Sequence, residues 1–120
     1  MAVILVVEDD ALVRRSVESL IAAMGHHTLS ASNLAGALLY LSGIEDIDAL
    51  FVDVRLDARA PTGCDVADRA ILLRPGLPII YTSGAPLPIG MRAILAGGSR
   101  FLEKPYSYAD LENTLGELLH

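Results

Sequence analysis

Unbroken apolar runs alternate along this chain with stretches in which apolar side chains recur at three- and four-residue spacing. Residues 2–7 are continuously apolar and rich in β-branched side chains, the pattern of a strand covered on both faces. The run stops at Glu8-Asp9-Asp10. Leu12, Val13, Val17, Leu20, Ile21 and Met24 then repeat with helical period, with Asp9 or Asp10 placed to cap the helix and Gly25 to end it. Residues 27–30 suit a short second strand. Asn33 caps a second helix whose inward face is Leu34, Ala37, Leu38 and Leu41, stopping near Gly43. The third strand falls at 48–54 and ends in the run Leu50-Phe51-Val52-Asp53, which sets a carboxylate at the tip of an apolar strand. A helix over 65–73 turns Val66, Ala70 and Leu73 inward and is closed by Arg74-Pro75-Gly76.

Residues 77–82 read as a fourth strand, with Pro78 tolerable only near its start. Ser83-Gly84-Ala85-Pro86-Leu87-Pro88 is too rich in Gly and Pro for regular structure. A fourth helix is therefore expected from about Ile89 to Gly97-Gly98, and its modest apolar content makes it the least stable element. The fifth strand is short, at 100–102. Ser107 with Asp110 three residues on forms a capping-box start for a last helix with Leu111, Leu115, Leu118 and Leu119 inward. Five strands alternating with five helices imply one α/β domain over 1–120, a doubly wound parallel sheet with right-handed crossovers and helices on both faces. In such sheets ligands bind outside the carboxyl ends of the strands.

Composition narrows the function classes. Of the 120 residues, 52% are apolar and 20% charged, as in a compact globule. A net charge of −6 with nine scattered Lys and Arg offers no basic face for direct nucleic-acid binding. No apolar run approaches the ~20 residues needed to cross a bilayer. No basic segment precedes the first apolar run, so a signal peptide and a membrane association are not expected. A single cysteine, Cys64, precludes an internal disulfide and fits a reducing, cytoplasmic setting. His26-His27 has no third ligand nearby, so surface or strand-start histidines are the simpler reading.

The strand ends carry the candidate chemistry. The first delivers Glu8 and Asp9, the third Asp53, the fourth Thr82, and Lys104 lies just past the fifth. If the first and third strands are neighbours, three carboxylates converge and raise one another's pKa unless a cation neutralises them. Oxygen-only donors favour a hard ion, Mg2+ above all, and a backbone carbonyl past Asp53 such as that of Arg55 could complete the set. Lys104 supplies a point charge and Thr82 a hydroxyl, both suited to phosphoryl oxygens. Each residue alone has a plainer explanation: Asp53 as a turn residue, Asp9 or Asp10 as a helix cap, Lys104 as a solvated lysine.

The ordered set Val6-Val7-Glu8-Asp9-Asp10, Asp53 at a strand end, Thr82 after an apolar strand and Lys104-Pro105 resembles the receiver domain of two-component response regulators over essentially the whole chain. The resemblance implies a flavodoxin-like sheet of order 2-1-3-4-5. It implies that Glu8 and Asp9 are the Mg2+-binding acids, Asp53 the phospho-accepting nucleophile, and Thr82 and Lys104 the groups that meet the phosphoryl oxygens. Phe101, three residues before Lys104, would be the aromatic that changes rotamer on activation. The implied partners are a histidine kinase or histidine phosphotransfer protein and an output domain or partner protein. The face of the fourth helix, fifth strand and fifth helix would be the switching surface, also available for a homodimer. On this reading the chain is a phospho-acceptor signalling domain that assists its own phosphorylation and dephosphorylation.

Three features depart from the family pattern. The segment 57–63 is longer than the usual loop and lacks an early Pro, 83–88 replaces a regular helix start, and Glu8 stands where Asp is more frequent. Two rival readings are a pseudo-receiver that keeps the fold as an interaction module, and a flavodoxin-like enzyme or nucleotide binder. The second lacks a Gly-rich phosphate loop after the first strand.

Overall fold

The computed structural model describes residues 1–54, 63–84 and 99–119. Its elements follow one another as β1 (Val3–Val7), α1 (Ala11–Ala23), β2 (His27–Ala31), α2 (Leu34–Leu41), β3 (Ala49–Asp53), α3 (Gly63–Leu73), β4 (Ile79–Ser83), β5 (Arg100–Glu103) and α4 (Tyr108–Leu118). The C-terminal helix α4 is thus the fifth of the helices expected from the sequence. The expected helix over 89–98, the long segment from Arg55 and most of the Gly/Pro-rich stretch at 83–88 lie outside the described residues.

The strands form one five-stranded sheet in the order β2-β1-β3-β4-β5, and every neighbouring pair is parallel. This is the doubly wound α/β arrangement expected from the resemblance. β3 and β4 are buried along their whole length, which explains their uninterrupted apolar sequences.

Strand alternation divides the core into two layers. Ile4, Val6, Ala49, Phe51 and Ile80 point to one face and pack with Val17 and Ile21 of α1 and Leu111 and Leu115 of α4. Leu5, Val7, Leu50, Val52, Ile79 and Tyr81 point to the other, with Ala37 and Leu41 of α2 and Val66, Ala67 and Ala70 of α3. Wholly buried side chains of this size each contribute about 1.5–3 kcal/mol by leaving water, so both layers hold the strand ends in register.

Local sequence sets the helix ends. Asp10 caps α1 by accepting from the amides of Leu12 at 2.9 Å and Val13 at 3.2 Å. Gly25 follows at φ 93°, a left-handed conformation that suits glycine. Around it the amides of Gly25 and His26 bond the carbonyls of Ala22 and Ile21, closing a Schellman turn. Asn33 caps α2, and Ser107 with Asp110 makes a complete capping box on α4.

The strand bounds differ from the sequence reading in two places that matter. β4 begins after Pro78, whose carbonyl still accepts from Leu50 N at 2.9 Å, and it runs one residue further, to Ser83. β3 stops at Asp53. Among the described residues, no helix is long and apolar enough to cross a membrane.

Candidate functional site

The acid at the head of the chain follows β1 directly. Glu8 N donates to Ala31 O at 3.1 Å, prolonging the β1–β2 ladder by one residue, and the side chain turns inward until it is only 3% exposed. Its Oε2 accepts from Asp10 N at 3.1 Å and its Oε1 from Lys104 Nζ at 3.2 Å. Asp53, the last residue of β3, is buried as well, and its Oδ2 accepts from the same ammonium at 2.9 Å. Asp9 is exposed beside them. One carboxylate oxygen from each of Glu8, Asp9 and Asp53 lies within 4.8 Å of the others, a donor group able to hold a metal ion.

Register explains the convergence. Val7 pairs with Val52, so Glu8 and Asp53 emerge side by side from neighbouring strands. Counting alternation from Val6 and Phe51, both side chains leave on the α1/α4 face. Lys104 reaches them from beyond β5, where its amide donates to Ser83 O at 2.8 Å.

Three acids around one cation disturb the titration of their neighbours. Burial pushes the Glu8 carboxyl up from 4.5 to about 7, with Asp9 and Asp53 acting in the same direction and the Asp10 amide opposing. Burial lowers the Lys104 ammonium, but the bond and charge of Asp53, joined by Glu8, outweigh it and hold the group above its usual value. Tyr106, two residues on, packs edge-to-face on Phe51 with ring centroids 6.2 Å apart. Burial lifts its hydroxyl to about 12; Lys104 pulls the other way, and Glu8 and Asp53 add to the rise.

The structure brings Glu8, Asp9, Asp53 and Lys104 together. Thr82 pairs in register with Asp53 and shares its face, as Ile80 does two residues earlier. Its Oγ1 is sealed from solvent and has no hydrogen-bond partner among the described residues. Phe101 is not part of this group: it pairs with Tyr81 and packs into the α2/α3 layer, on the opposite face of the sheet from Asp53 and Thr82. Arg55 lies outside the described residues.

Three participants escaped the sequence reading. Ser83 ends β4 where Thr82 was expected to end it, is 1% exposed, and by alternation faces the same side as Phe101. Two hydroxyl residues in succession were the available signal, since a strand sends only one of them to each face. Arg14, on α1, donates from Nη1 to Glu8 O at 2.7 Å. Tyr106, between Lys104 and α4, packs on Phe51 in the core layer beneath these acids. The contacts of the last two cross between elements, which no local pattern announces.

A model of the response regulator receiver domain matches residues 4–116. The chain belongs to that family. Response regulator protein TmoT of Ectopseudomonas mendocina is 31% identical over 113 residues, which is 92% of this chain and 49% of that protein. The chain spans about half the length of the curated relatives it matches. A response regulator receiver protein from Sinorhizobium medicae superposes with a TM-score of 0.86 at 29% identity, covering 98% of this chain and 94% of its own. The receiver domain of a sensor histidine kinase from Pseudomonas aeruginosa, with a magnesium ion coordinated in its active site cleft, gives a TM-score of 0.81 at 23% identity. It covers 98% of this chain and 97% of its own, and the likeness is one of fold. As a receiver domain, the protein is a signal-transduction module of two-component systems.

Proposed function

We propose that this receiver domain accepts a phosphoryl group on Asp53 from a phosphohistidine of a histidine kinase or histidine phosphotransfer protein. The observation that carries the reading is the Lys104 ammonium bonded to both Asp53 and Glu8, with Asp9 in the same oxygen cluster. A carboxylate oxygen of Asp53 attacks phosphorus, the P–N bond breaks, and its electron pair leaves with the imidazole. Lys104 sits where it would follow the charge from the Asp53 carboxylate to the phosphoryl oxygens. Water later attacks the same phosphorus, cleaving the acyl phosphate and returning the Asp53 carboxylate.

The residues fit a divalent cation: three carboxylates cluster, the two buried ones share one ammonium, and the charge on Glu8 is disfavoured as it stands. Glu8, Asp9 and Asp53, with the Arg55 carbonyl, would hold Mg2+. When bound, the ion supplies positive charge opposite the equatorial phosphoryl oxygens. That role agrees with the hard, oxygen-only donor set.

For the hydroxyl that meets the phosphoryl group, Thr82 is favoured by its shared face with Asp53 and by its Oγ1, which has no partner among the described residues. Ser83 is a second reading, favoured by its place at the strand end on the side of Phe101. Phe101 would then report the change on the surface where β5, α4 and the fourth expected helix meet. That surface would engage an output domain or partner protein, or a second copy of the chain. The domain works as a phospho-acceptor in the cytoplasm, not as an enzyme on a separate substrate.

Incubation with a small phosphodonor and Mg2+ should add the mass of one phosphoryl group, a gain that does not occur when chelator is present from the start or in Asp53→Asn. No Mg2+-dependent mass increase on a folded wild-type protein would favour the pseudo-receiver. Undiminished labelling of Asp53→Asn would overturn the site assignment.

A further inference from the structure

The peptide joining Glu8 to Asp9 carries both acids, and its carbonyl lies past the end of the β1–β2 ladder. The last β1–β2 pair is Val7 with Ala31; Glu8 N still donates to Ala31 O at 3.1 Å, and the Glu8 carbonyl, on the same side of the strand, lies beyond that last pair. The Glu8 carbonyl is met from α1, where Arg14 Nη1 donates to it at 2.7 Å. Arg14 is itself braced. Its Nε lies 3.9 Å from Glu18 Oε1, the two side chains being 19% and 26% exposed, and that carboxylate oxygen accepts from Ser30 Oγ at 2.7 Å. Ser30 is on β2, next to Ala31, whose carbonyl receives Glu8 N at 3.1 Å. The chain of contacts therefore closes on itself: from the Glu8 peptide through Arg14, Glu18 and Ser30, along β2, and back to Glu8.

We propose that Arg14 is a positioning residue for cation binding, holding the Glu8–Asp9 peptide so that Asp9 points into the pocket, with Glu18 and Ser30 as its brace. The proposal rests on the reading of Glu8, Asp9 and Asp53 as the Mg2+ site and adds to it the device that orients the acid pair. Glu8 and Asp53 are fixed by Lys104 and by burial. Asp9 is exposed, so its aim depends on the backbone that carries it.

The direction of the effect separates positioning from charge. Arg14 carries positive charge beside an acidic pocket, so removing it by electrostatics alone would tighten Mg2+ binding. A positioning role requires the opposite sign. Outer contacts that orient ligands are commonly worth about 10–100-fold in metal affinity, and a contact acting through one peptide belongs at the low end. Calorimetric titration of Mg2+ into the whole chain should therefore show Arg14→Met binding about tenfold more weakly than wild type. Arg14→Lys, which keeps a donor, should recover part of the loss, and Glu18→Gln should show a smaller one. Urea midpoints in chelator check that each variant is folded. Unchanged or tighter binding by Arg14→Met, or an equal loss in Arg14→Lys and Arg14→Met, would overturn the proposal while leaving the site reading intact. Failure of wild type to bind Mg2+, or undiminished binding by Asp9→Asn, would overturn the site reading itself and the proposal with it.

Discussion

Replacing Glu8 with glutamine removes a buried carboxyl whose charge the pocket disfavours, and its effect on stability can be worked from the pocket. In the folded protein the Glu8 carboxyl titrates at about 7 against 4.5 for the ordinary group. The folded state thus holds its proton more tightly than the unfolded chain. The associated stability is fully present below about pH 4.5 and is lost as pH rises through 7. At about 1.4 kcal/mol for each pH unit, the loss is on the order of 3 kcal/mol, a large share of the ~5–15 kcal/mol that holds a domain folded.

Glu8→Gln cannot titrate, so this loss disappears. The amide oxygen can still accept from Lys104, but its nitrogen then faces the Asp10 amide, a forfeited hydrogen bond costing about 1 kcal/mol. Without metal the variant should be about 1 kcal/mol less stable than wild type near pH 4.5 and about 2 kcal/mol more stable at pH 8. The two curves should cross between. The other shifted groups act outside this window: Tyr81 and Tyr106 are both raised from 10.0 and matter only at higher pH. Asp110 is lowered from 3.8, so its contribution is present above that value and lost as pH falls below it. Lys104 is raised above 10.5, so its contribution is present below that value and lost only at higher pH. Urea unfolding followed by far-ultraviolet circular dichroism, in chelator from pH 4.5 to 8, reads the difference directly. Parallel wild-type and variant curves would refute the reasoning. Added Mg2+ at a hundred times its dissociation constant should restore about 2.7 kcal/mol to wild type at pH 8 and much less to the variant.

The pocket's neighbours give further tests. Thr82→Val keeps the shape and removes the hydroxyl; if Thr82 meets the phosphoryl group, labelling from a small phosphodonor should slow at least tenfold while Ser83→Ala labels normally, and the reverse pattern would assign the role to Ser83. Ser107→Ala removes one half of the α4 capping box, where Ser107 Oγ accepts from Asp110 N at 3.0 Å. It should lower unfolding stability by about 1 kcal/mol and leave the rate of labelling unchanged, because the cap's hydrogen bonds run between Ser107 and Asp110 and not to Glu8, Asp53 or Lys104.

Legibility in the sequence followed the range of the interaction. The caps were readable because a cap is settled within four residues: Asn33 and the Ser107–Asp110 box are found in their expected places, and of the two acids expected at the first helix the cap is Asp10. The continuous apolar strands announced a sheet covered on both sides, as β3 and β4 are. Strand order was not readable from alternation, because β-α units in sequence can be laid down on either side of the first strand; it came from the resemblance. β4 was displaced toward Pro78 because the apolar pattern runs through the proline, whereas the ladder begins after it. Glu8, Asp9, Asp53 and Lys104 converge as their strand-end positions implied. Arg14 and Tyr106 meet Glu8 and Phe51 through contacts made across elements, and neither has a local signature.

The sheet itself constrains how a change at Asp53 could reach Phe101. Asp53, Glu8 and Thr82 lie on the α1/α4 face, and Phe101 packs on the α2/α3 face. Between them stand the backbones of β3, β4 and β5, bonded residue by residue through Asp53–Thr82 and Tyr81–Phe101. A path through the sheet interior would require breaking that ladder, at the cost of leaving buried peptide groups unpaired. The carboxyl rim offers another route. There the Lys104 side chain holds Asp53, its own amide bonds Ser83 O at 2.8 Å, and Ser83 leads from the Thr82 face to the Phe101 face in one residue. A shift of Lys104 toward a phosphoryl group would draw on the end of β4 through that bond, on the side where Phe101 lies. If Asp53 is phosphorylated, the Lys104–Ser83 junction at the rim would therefore offer a shorter route between the two faces than the buried core does.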